Sequence, residues 1–529
     1  MFSKGELMKN LLERIKTASG RLQDCIRRFP FSFTILCMIT AVMTYMIIAD
    51  EDLSKLTVSL IVGGLFCFLM ELSYEYKVHR IKALAPALSL VAALIVFLVL
   101  KGHENEYVYT ALGGIGVAAV SLIAYILYKD RENRYLFSHL AKSAFIVWIF
   151  TVVILAGFSV CIAAFHFLIF HFNDIWKIYS ILLLFVMGLF GITLFLSYVP
   201  RPDEETAVPT IYRTIIHKAL FYIYLVLIGI LYLYILKIII TWQMPVGKLN
   251  WFGCFALLFY VIFYLSVDES DGRLQALFKT KGAYLLVPVL AIQLFAIVIR
   301  LNAYGLTTAR FMSLILIAIA IGFMLSSMLR FRVSWCFLFI ALLAIVFTCT
   351  PLNIYDIPNR TQETRLKNAL TKGGALVNGV FDENVSMSAE YLEDAKSAYD
   401  YLRYSSGNKS AFFETFKESK IAESFSGYHY DDKNIRNFCY KADLYEKETD
   451  VTRYSKMHLV SYRDDYKYND ELYAFFEGLD PDKTETYEQD VLEYECSDGT
   501  KIVFGYIEYS YDEDKEDFEY IYWDGIVLQ

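Results

Sequence analysis

Three consecutive acidic residues, Asp50, Glu51 and Asp52, directly follow the first apolar segment of the chain. Carboxylates act as metal ligands or as general acids and bases when a protein holds them over a substrate. We therefore take these three residues as candidate catalytic residues. Only about six residues separate the first apolar segment from the second, so the loop that would position these side chains is short.

A second acidic cluster lies near the C-terminus, where carboxylate oxygens could hold a hard cation such as calcium. The candidate metal ligands are Asp512, Asp514 and Glu516. The surrounding sequence has neither the glycine nor the spaced terminal glutamate of an EF-hand loop. A solvated hairpin turn is therefore the alternative interpretation. The chain contains no Walker A or HExxH motif, and we expect no cofactor.

His166 is the candidate binding residue that lies deepest in an apolar segment, and His171 follows five residues later. Five residues turn a helix by about 500°, so the two imidazoles are not expected on one face and no metal pair is predicted. Residues 114–119 match the dinucleotide-binding pattern GxGxxA, but no strand precedes them. Small residues inside an apolar segment instead predict close packing of helices.

The cysteines divide into two groups. Seven of the nine lie in or beside apolar segments, where cysteine behaves as a small apolar residue. The other two, Cys439 and Cys496, lie in the C-terminal region. An oxidising compartment would allow them to form a disulfide, and two free thiols are the alternative.

Composition and charge indicate a membrane protein with a distinct C-terminal region. The chain is 56% hydrophobic and has a mean hydropathy of +0.41, which lies outside the range of soluble proteins. Residues 1–352 carry 29 Lys and Arg against 19 Asp and Glu, a net charge of +10. Residues 353–529 carry 20 against 38, a net charge of −18. The two parts are therefore expected in different environments.

Eleven apolar segments are long enough to cross a bilayer as helices, in which every backbone polar group is bonded within the segment. The predicted spans are 31–49, 56–73, 83–100, 108–128, 144–171, 176–198, 217–240, 250–267, 282–300, 311–329 and 334–351. The predicted fold is a membrane α-helical bundle of about 11 transmembrane helices in residues 31–351, with a C-terminal extracytoplasmic α+β domain.

The distribution of Lys and Arg predicts the orientation of these spans. Alternate connecting segments carry 22 cationic residues on one side and seven on the other, and the richer side is expected to be cytoplasmic. The N-terminus is then cytoplasmic, and an odd number of spans places the C-terminus outside. Residues 1–30 mix apolar and basic residues at helical spacing, which predicts a cytoplasmic amphipathic segment on the anionic leaflet or a solvated helix. No cleavable signal peptide is predicted.

The sequence after the last span is charged and polar. Residues 352–420 are predicted to be helical, with helices at 359–372 and 388–404 and with Ser388 as an N-cap. Residues 421–529 are predicted to form an acidic, Tyr-rich α+β domain. Its alternating runs HLVSY, LYAFF, VLEYE, KIVFGYIEYSY and FEYIYW are separated by turn-formers such as Asp498-Gly499 and Asp524-Gly525. This pattern predicts a small antiparallel sheet.

Several polar motifs between apolar segments carry a resemblance to a known family. They are Arg28-Phe29-Pro30-Phe31, YLYILKIIITWQMPVGKLNW at 232–251, RLNAYGLTTARF at 300–311 and TPLNIYDIPNRTQETRLKNAL at 350–370. Over roughly residues 28–420 the chain resembles the domain of unknown function 4153 family. This resemblance implies a bacterial integral membrane protein whose activity has not been established, and it assigns no catalytic residue.

The motif at 300–311 supplies further candidate binding residues, namely Tyr304, Gly305, Thr307 and Arg310. Gly305 permits a tight turn between two spans, and Thr307 can cap the following helix. Arg310 can contact lipid headgroups or a carboxylate. A well-formed hairpin between two spans is the alternative to a ligand site.

Three functions are compatible with this sequence. The first is a non-enzymatic protein of the cell envelope, in which the bundle displays an external domain that senses or binds an envelope protein or a glycan. The second is a transporter or flippase of an uncharged or lipidic substrate, which does not require charged residues in the middle of the spans. Its indications are glycines and prolines that interrupt the spans, such as Gly63-Gly64, Gly113-Gly114, Pro86 and Pro288. The third is a lipid-linked sugar transferase, because multi-spanning enzymes of that kind resemble this chain in helix number and in an acidic pair in the first outer loop. The expected partner is the plasma (inner) membrane bilayer, and no nucleic acid partner is expected.

Overall fold

A computed structural model gives the fold of the chain and divides it into two compact units, Met1–Ala422 and Glu423–Gln529. The structure describes residues 20–528 apart from 103–104, 130–134, 203, 205, 207–208, 242–247, 269–271, 378, 383–384, 386, 406–409, 426–434, 442–456, 462–471, 473–474, 477, 480–491 and 513–516. Of the predicted amphipathic segment 1–30, residues 1–19 thus lie outside the described residues. Residues 20–28 form a helix, α1, which ends in front of Pro30.

The first unit consists mainly of apolar helices in chain order. They are α2 (Pro30–Ala49), α3 (Ser54–Glu75), α4 (Leu84–Gly102), α5 (Glu106–Lys129), α6 (Leu136–Leu168), α7 (Ile175–Leu196), α8 (Tyr212–Thr241), α9 (Lys248–Ser266), α10 (Arg273–Tyr304), α11 (Thr308–Leu329) and α12 (Ser334–Cys349). Among the described residues nine of these helices are long and apolar enough to cross a membrane, and α9 and α12 are shorter apolar helices. Each predicted span corresponds to one of these helices, while the count of eleven crossings stays a prediction.

Two of the helices are much longer than a bilayer requires. The lengths of α6 and α10 are 33 and 32 residues, against about 20 residues for a perpendicular crossing. The predicted span 144–171 is wrong at its end, because α6 ends at Leu168 and the chain then turns. Both α7 and α8 contain a π-helical stretch, at Leu184–Gly191 and Ile215–Leu220.

Aromatic side chains fill the largest core of the bundle. Phe221 and Tyr224 of α8, Tyr260 of α9, Phe278 of α10 and Phe323 of α11 are all buried. The ring centroids of Phe221 and Phe278 lie 5.1 Å apart in a T-shaped arrangement, which is a favourable geometry for aromatic pairs. This core therefore joins the helices α8, α9, α10 and α11 into one body.

A smaller core forms around α1 and the adjoining ends of α2 and α3. Phe29 packs edge-on against Phe68 at 5.0 Å between ring centroids, and Cys25 and Leu72 are buried beside them. Burial raises the pKa of the Cys25 thiol to about 11, so this cysteine is expected to be chemically inert. The Arg28 guanidinium donates two hydrogen bonds of 3.0 Å to the Glu75 carboxylate and holds α1 against α3.

Gly114 is the point of closest approach between α5 and α12. A Cβ at this position would lie 1.8 Å from Oγ1 of Thr348, so only glycine fits there. Gly113 and Gly116 have no atom within 4 Å of such a Cβ. The prediction that small residues of segment 114–119 allow close helix packing is therefore confirmed at Gly114.

A polar helical hairpin follows the last apolar helix. Its helices are α13 (Asp356–Lys372) and α14 (Ala389–Tyr404), and between them lie the short strands β1 (Leu376–Val377) and β2 (Val380–Phe381). Two short helices, α15 (Ala411–Lys417) and α16 (Lys420–Phe425), come after it. Both predicted helices are confirmed, with Ser388 in the N-cap position, but its hydroxyl makes no capping hydrogen bond.

The second unit contains a five-stranded antiparallel sheet in which β3, β6, β7 and β4 are neighbours in that order and β5 also pairs with β6. The strands are β3 (Ile435–Lys441), β4 (Met457–Ser461), β5 (Glu493–Glu495), β6 (Lys501–Asp512) and β7 (Asp517–Leu528). Phe504 and Trp523 are fully buried on this sheet with ring centroids 5.3 Å apart. The prediction of a small C-terminal sheet is confirmed.

Two local predictions for this unit are wrong. The run LYAFF was expected to be a strand, but its described residues Leu472, Phe475 and Phe476 are helical. Asp524-Gly525 was expected to be a turn, but Gly525 lies within β7 opposite Phe504. A Cβ on Gly525 would stand 2.4 Å from the carbonyl oxygen of Val503, so the glycine marks a close approach of two strands rather than a turn.

Candidate functional site

The turn between α10 and α11 carries the candidate residues 304–310 and forms as predicted. Gly305 has φ +66°, a value that glycine adopts more readily than other residues. A Cβ on Gly305 would lie 2.8 Å from Nε2 of Gln362 on α13. Glycine thus suits the backbone conformation, and any larger residue would displace the Gln362 amide from this turn.

Three side chains donate hydrogen bonds to one backbone carbonyl at the C-terminus of α10. The Tyr304 oxygen accepts from Nε2 of Gln362 at 2.8 Å, from Nη1 of Arg365 at 3.1 Å and from Nη1 of Arg310 at 3.3 Å. Carbonyl groups at a helix C-terminus carry partial negative charge, which explains why two guanidinium groups gather there. Arg310 also donates to the Gly305 oxygen at 2.6 Å, so its contacts are with this turn.

Thr307 occupies the N-cap position of α11, as predicted, with an extended backbone. The expectation that its hydroxyl caps the helix is wrong, because Thr307 makes no side-chain capping hydrogen bond. The backbone N–H of Thr308 instead donates to the Tyr401 hydroxyl at 3.1 Å. The side-chain hydroxyl of Thr308 also lies 2.9 Å from the Tyr401 hydroxyl. The N-terminus of α11 is therefore capped by a side chain of another helix, α14.

A polar pocket of about 480 Å³ lies where this hairpin meets the end of α10. Its walls are formed by α13 and α14, and Tyr304, one half exposed, closes it at the α10 end. The charged side chains that line the pocket are Arg365, Lys372, Glu390, Glu393 and Asp394. The pocket therefore combines both signs of charge with two aromatic side chains, Tyr304 and Tyr391.

Arg365 connects this pocket to the apolar helices of the bundle. Its Nε donates to Oδ1 of Asp394 at 2.7 Å across the hairpin, while its Nη1 reaches the Tyr304 carbonyl. The Arg365 side chain is 13% exposed and that of Asp394 is 37% exposed. One guanidinium thus joins α13, α14 and the end of α10.

Three other charged groups of the pocket remain available to a ligand. Lys372, Glu390 and Glu393 are exposed, and none of them forms an ion pair with another described residue. Their sum with the Arg365–Asp394 pair leaves a net charge of −1 in the lining. The pocket is therefore suited to a small polar molecule that carries an amino group and can also offer an acidic group to Lys372.

The acidic run after α2 makes local contacts. Asp50 forms an ion pair with Lys177 at the start of α7, and the Tyr45 hydroxyl donates to Glu51 at 3.3 Å. Asp52 accepts a hydrogen bond of 2.9 Å from the backbone N–H of Ser54, which lowers the pKa of Asp52. All three candidate catalytic carboxylates thus have a partner in the loop between α2 and α3 or beside it.

The two histidines at the end of α6 come together, contrary to the predicted separation. Because α6 ends at Leu168, the chain folds back and the rings of His166 and His171 lie 4.1 Å apart. His166 is buried, and its Nδ1 accepts from the backbone N–H of Phe172 at 3.0 Å. This hydrogen bond closes the turn after α6. No group of three or more His, Cys, Asp and Glu residues that could hold a metal occurs in the described part of the chain.

The remaining candidates lie in the second unit. Asp512 ends β6 opposite Asp517 of β7, and Asp514 and Glu516 lie outside the described residues. The pairing of β6 with β7 extends to Asp512 and Asp517, and both the calcium site and the alternative of a solvated turn stay predictions. Cys496 is buried next to the sheet, and the backbone of Cys439 lies in β3. A disulfide between these two cysteines also stays a prediction.

A buried polar cluster that the sequence did not reveal lies at the opposite end of the bundle. Ser138 of α6 donates to the Ser266 carbonyl oxygen at 3.0 Å, and its Oγ lies 3.3 Å from Nε2 of His217. Gln275 donates to the His217 carbonyl oxygen at 2.8 Å. Ser138 is completely buried, so this Ser–His pair joins helices and has no access to a substrate.

Sequence reasoning also missed Gln362 and Arg365, which are two of the residues that attach the hairpin to the bundle. They lie about 60 positions after their partner Tyr304, and such distant pairs leave no local pattern. One signal was available: Gln362 and Arg365 are three apart in the motif at 350–370 and therefore share a helix face.

The helices of the first unit are consistent with a multi-pass integral membrane protein, since nine of those described are long and apolar enough to cross a membrane. A model of the family described as "Domain of unknown function (DUF4153)" matches residues 33–398. That match covers more than half of the chain, so the chain belongs to this family. No curated protein and no solved structure matches the chain.

Proposed function

We propose that this protein is a receptor of the cell envelope, which binds a small polar ligand in the hairpin pocket and transmits the binding event to the membrane helices. The proposal includes the orientation given by the charge distribution, with a cytoplasmic N-terminus and an extracytoplasmic C-terminal region in the plasma membrane of a bacterium. A non-enzymatic role fits the pocket, because its charged groups are placed for binding.

The observation that carries this proposal is the position of Arg365. It lines the pocket, pairs with Asp394 on the opposite wall and donates to the last carbonyl of α10. A ligand that competes for Asp394 or contacts Arg365 therefore changes a hydrogen bond at the end of a 32-residue membrane helix. Such a shared contact is what allows binding at one site to bias the arrangement of another.

The lining favours a ligand with an amino group. Glu390 and Glu393 lie on α14 three residues apart, so they share a face of that helix, and the opposite wall offers Lys372. Amino acids, diamino acids and amino sugars have this combination of groups and fit a pocket of about 480 Å³.

We expect a compound of this class to raise the melting temperature of the purified full-length protein in detergent. A ligand present at about 100 times its Kd stabilises the folded state by about 2.7 kcal/mol. The measurement is a thermal-shift screen with a panel of amino acids, diamino acids and amino sugars. The stabilisation should disappear in the double variant Glu390→Gln/Glu393→Gln, which keeps the shape of the pocket and removes two negative charges.

The matched control is Glu414→Gln, which removes one exposed carboxylate from α15 outside the pocket. This control should respond to the ligand as the unsubstituted protein does. If no compound of the panel raises the melting temperature, or if the double variant responds like the control, the hairpin pocket is not the receptor site.

The C-terminal unit is proposed as a second binding element for an envelope protein or a glycan. Its support is chemical: residues 423–529 carry 11 Lys and Arg against 28 Asp and Glu, a net charge of −17, and its strands are rich in tyrosine. This composition favours cationic or polyhydroxylated partners.

A transporter or flippase of a lipidic substrate is the second candidate function, and one observation favours it. An apolar groove of about 760 Å³ lies between the apolar helices α3, α5 and α12. Such an activity needs a groove that faces the bilayer. Among the described residues, no side chain fills the groove between these three helices. The sugar transferase alternative rests on Asp50, Glu51 and Asp52, whose local contacts give it no further support.

A further inference from the structure

The apolar groove of the bundle has a shape that suits one hydrocarbon chain. Its floor is formed by the small side chains of Ala118 and Ala119 on α5. Phe66 and Leu69 of α3 form one wall, and Trp335 and Leu342 of α12 form the other. Small residues between two higher walls leave a trough, and every side chain that lines it is aliphatic or aromatic.

The groove covers about one leaflet of a bilayer. On α12 its lining runs from Trp335 to Ile345, which corresponds to about 15 Å along a helix. The hydrocarbon core of a bilayer is about 30 Å thick. A chain lying in the groove would therefore belong to a lipid of the leaflet next to Trp335.

The groove is flanked by cations at this same end. Trp335 is the second residue of α12, and the loop that precedes it contains Arg330 and Arg332. Both arginines are exposed, and neither forms an ion pair with any residue that the structure describes. Two unneutralised guanidinium groups beside an apolar groove complement a lipid with an anionic headgroup.

We propose that the groove between α3, α5 and α12 binds one acyl chain of an anionic phospholipid, whose headgroup contacts Arg330 and Arg332. The acyl chain gains dispersion contacts with three helices that it lacks in bulk lipid. The anionic headgroup gains electrostatic attraction to two guanidinium groups near the membrane surface. This site is separate from the hairpin pocket and does not depend on the receptor function.

The test counts lipids bound to the full-length protein by native mass spectrometry, after delipidation in detergent and titration with one lipid. Phosphatidylglycerol and phosphatidylcholine with identical acyl chains are the two probes. We expect one phosphatidylglycerol to bind about tenfold more tightly than phosphatidylcholine, given the usual attraction between basic residues and anionic lipid. The variant Arg330→Gly/Arg332→Gln should abolish this difference. Glycine at 330 suits the left-handed backbone found there, with φ 56°.

A second variant tests the groove itself. Ala118→Phe fills the floor and should remove the binding of both lipids. If this variant does not fold, Leu342→Trp enlarges a wall residue that is 59% exposed and serves the same purpose. The matched control is Leu90→Phe on α4, which is 71% exposed and does not line the groove. It should bind phosphatidylglycerol as the unsubstituted protein does.

Three results would overturn the proposal. They are equal affinity of the unsubstituted protein for the two lipids, unchanged phosphatidylglycerol binding in a folded groove-filling variant, and a dimer that dissociates when the groove is filled. The last result would show that a second copy of the chain occupies the groove.

Discussion

Replacing Gly114 with alanine is expected to destabilise the helical bundle by about 2 kcal/mol, within the usual cost of overpacking a core. The new Cβ would stand 1.8 Å from Oγ1, 2.6 Å from Cβ and 2.7 Å from Cγ2 of Thr348. Since one of these atoms belongs to the stem of a β-branched side chain, rotation of Thr348 cannot remove the overlap, and α5 and α12 must separate. The measurement is reversible unfolding of the purified protein in SDS mixed micelles.

The same helix supplies two control substitutions that are not expected to destabilise the bundle. Gly113→Ala and Gly116→Ala introduce the same methyl group where nothing lies within 4 Å, and alanine favours a helix over glycine by about 1 kcal/mol. Both variants should be as stable as the parent protein or more stable. The double variant Gly114→Ala/Thr348→Gly removes all three clashing atoms and should recover most of the lost stability. Equal effects of alanine at the three glycines would contradict the close helix crossing.

Replacing Glu71 with leucine is expected to cost about 3 kcal/mol, since each buried polar group left without a partner costs about 1–3 kcal/mol. The carboxylate of Glu71 accepts hydrogen bonds from the backbone N–H groups of Phe31 at 3.0 Å and Ser32 at 3.1 Å. It also accepts from the Ser32 hydroxyl. These N–H groups begin α2, whose N-cap residue Phe29 supplies no side-chain acceptor. Glu71 therefore caps a neighbouring helix from α3.

The conservative variant separates this role from side-chain volume. Glu71→Gln keeps the shape but exchanges one acceptor oxygen for a donor, so its cost should lie between zero and that of leucine. Glu106→Gln, an exposed substitution in the first turn of α5, should change the free energy of unfolding by less than about 1 kcal/mol. Unfolding in SDS mixed micelles measures all three variants, and a neutral effect of Glu71→Leu would mean that another group caps α2.

The apolar helices could be predicted from the sequence because hydrophobicity over some 20 residues is a strong signal. Every predicted span corresponds to an apolar helix, and the polar helices α13 and α14 were predicted within three residues of their observed ends. The end of α6 was placed at His171 instead of Leu168. This small error separated His166 and His171, whose rings lie in contact.

Short apolar runs in the C-terminal unit were harder to assign. The run LYAFF suits a strand or a buried helix equally, since periodicity does not distinguish them over five residues, and its described residues are helical. Asp524-Gly525 has the composition of a turn, yet Gly525 is used where β6 and β7 approach closely. Glycine is needed at this position because of the backbone of Val503 on β6. Val503 lies 22 residues earlier in the sequence, so the local pattern around Gly525 does not show this contact.

The candidate site was predicted in part. The motif at 300–311 predicted the turn between α10 and α11, and the positive φ of Gly305 agrees with the conformational freedom of glycine. The pocket itself could not be predicted, because it forms only when α13 and α14 fold back onto the end of α10. The same is true of the capping of α11 by Tyr401, which lies 93 residues from Thr308.

The receptor proposal depends most directly on the side of the membrane that the hairpin pocket faces. The measurement is labelling of Lys372→Cys, at the exposed rim of the pocket, with a membrane-impermeant maleimide in intact cells. Arg332→Cys, in the loop between α11 and α12, is the matched control. The proposed orientation predicts labelling of Lys372→Cys in intact cells and labelling of Arg332→Cys only after the membrane is permeabilised. Labelling of Arg332→Cys in intact cells, with Lys372→Cys protected until permeabilisation, would contradict it.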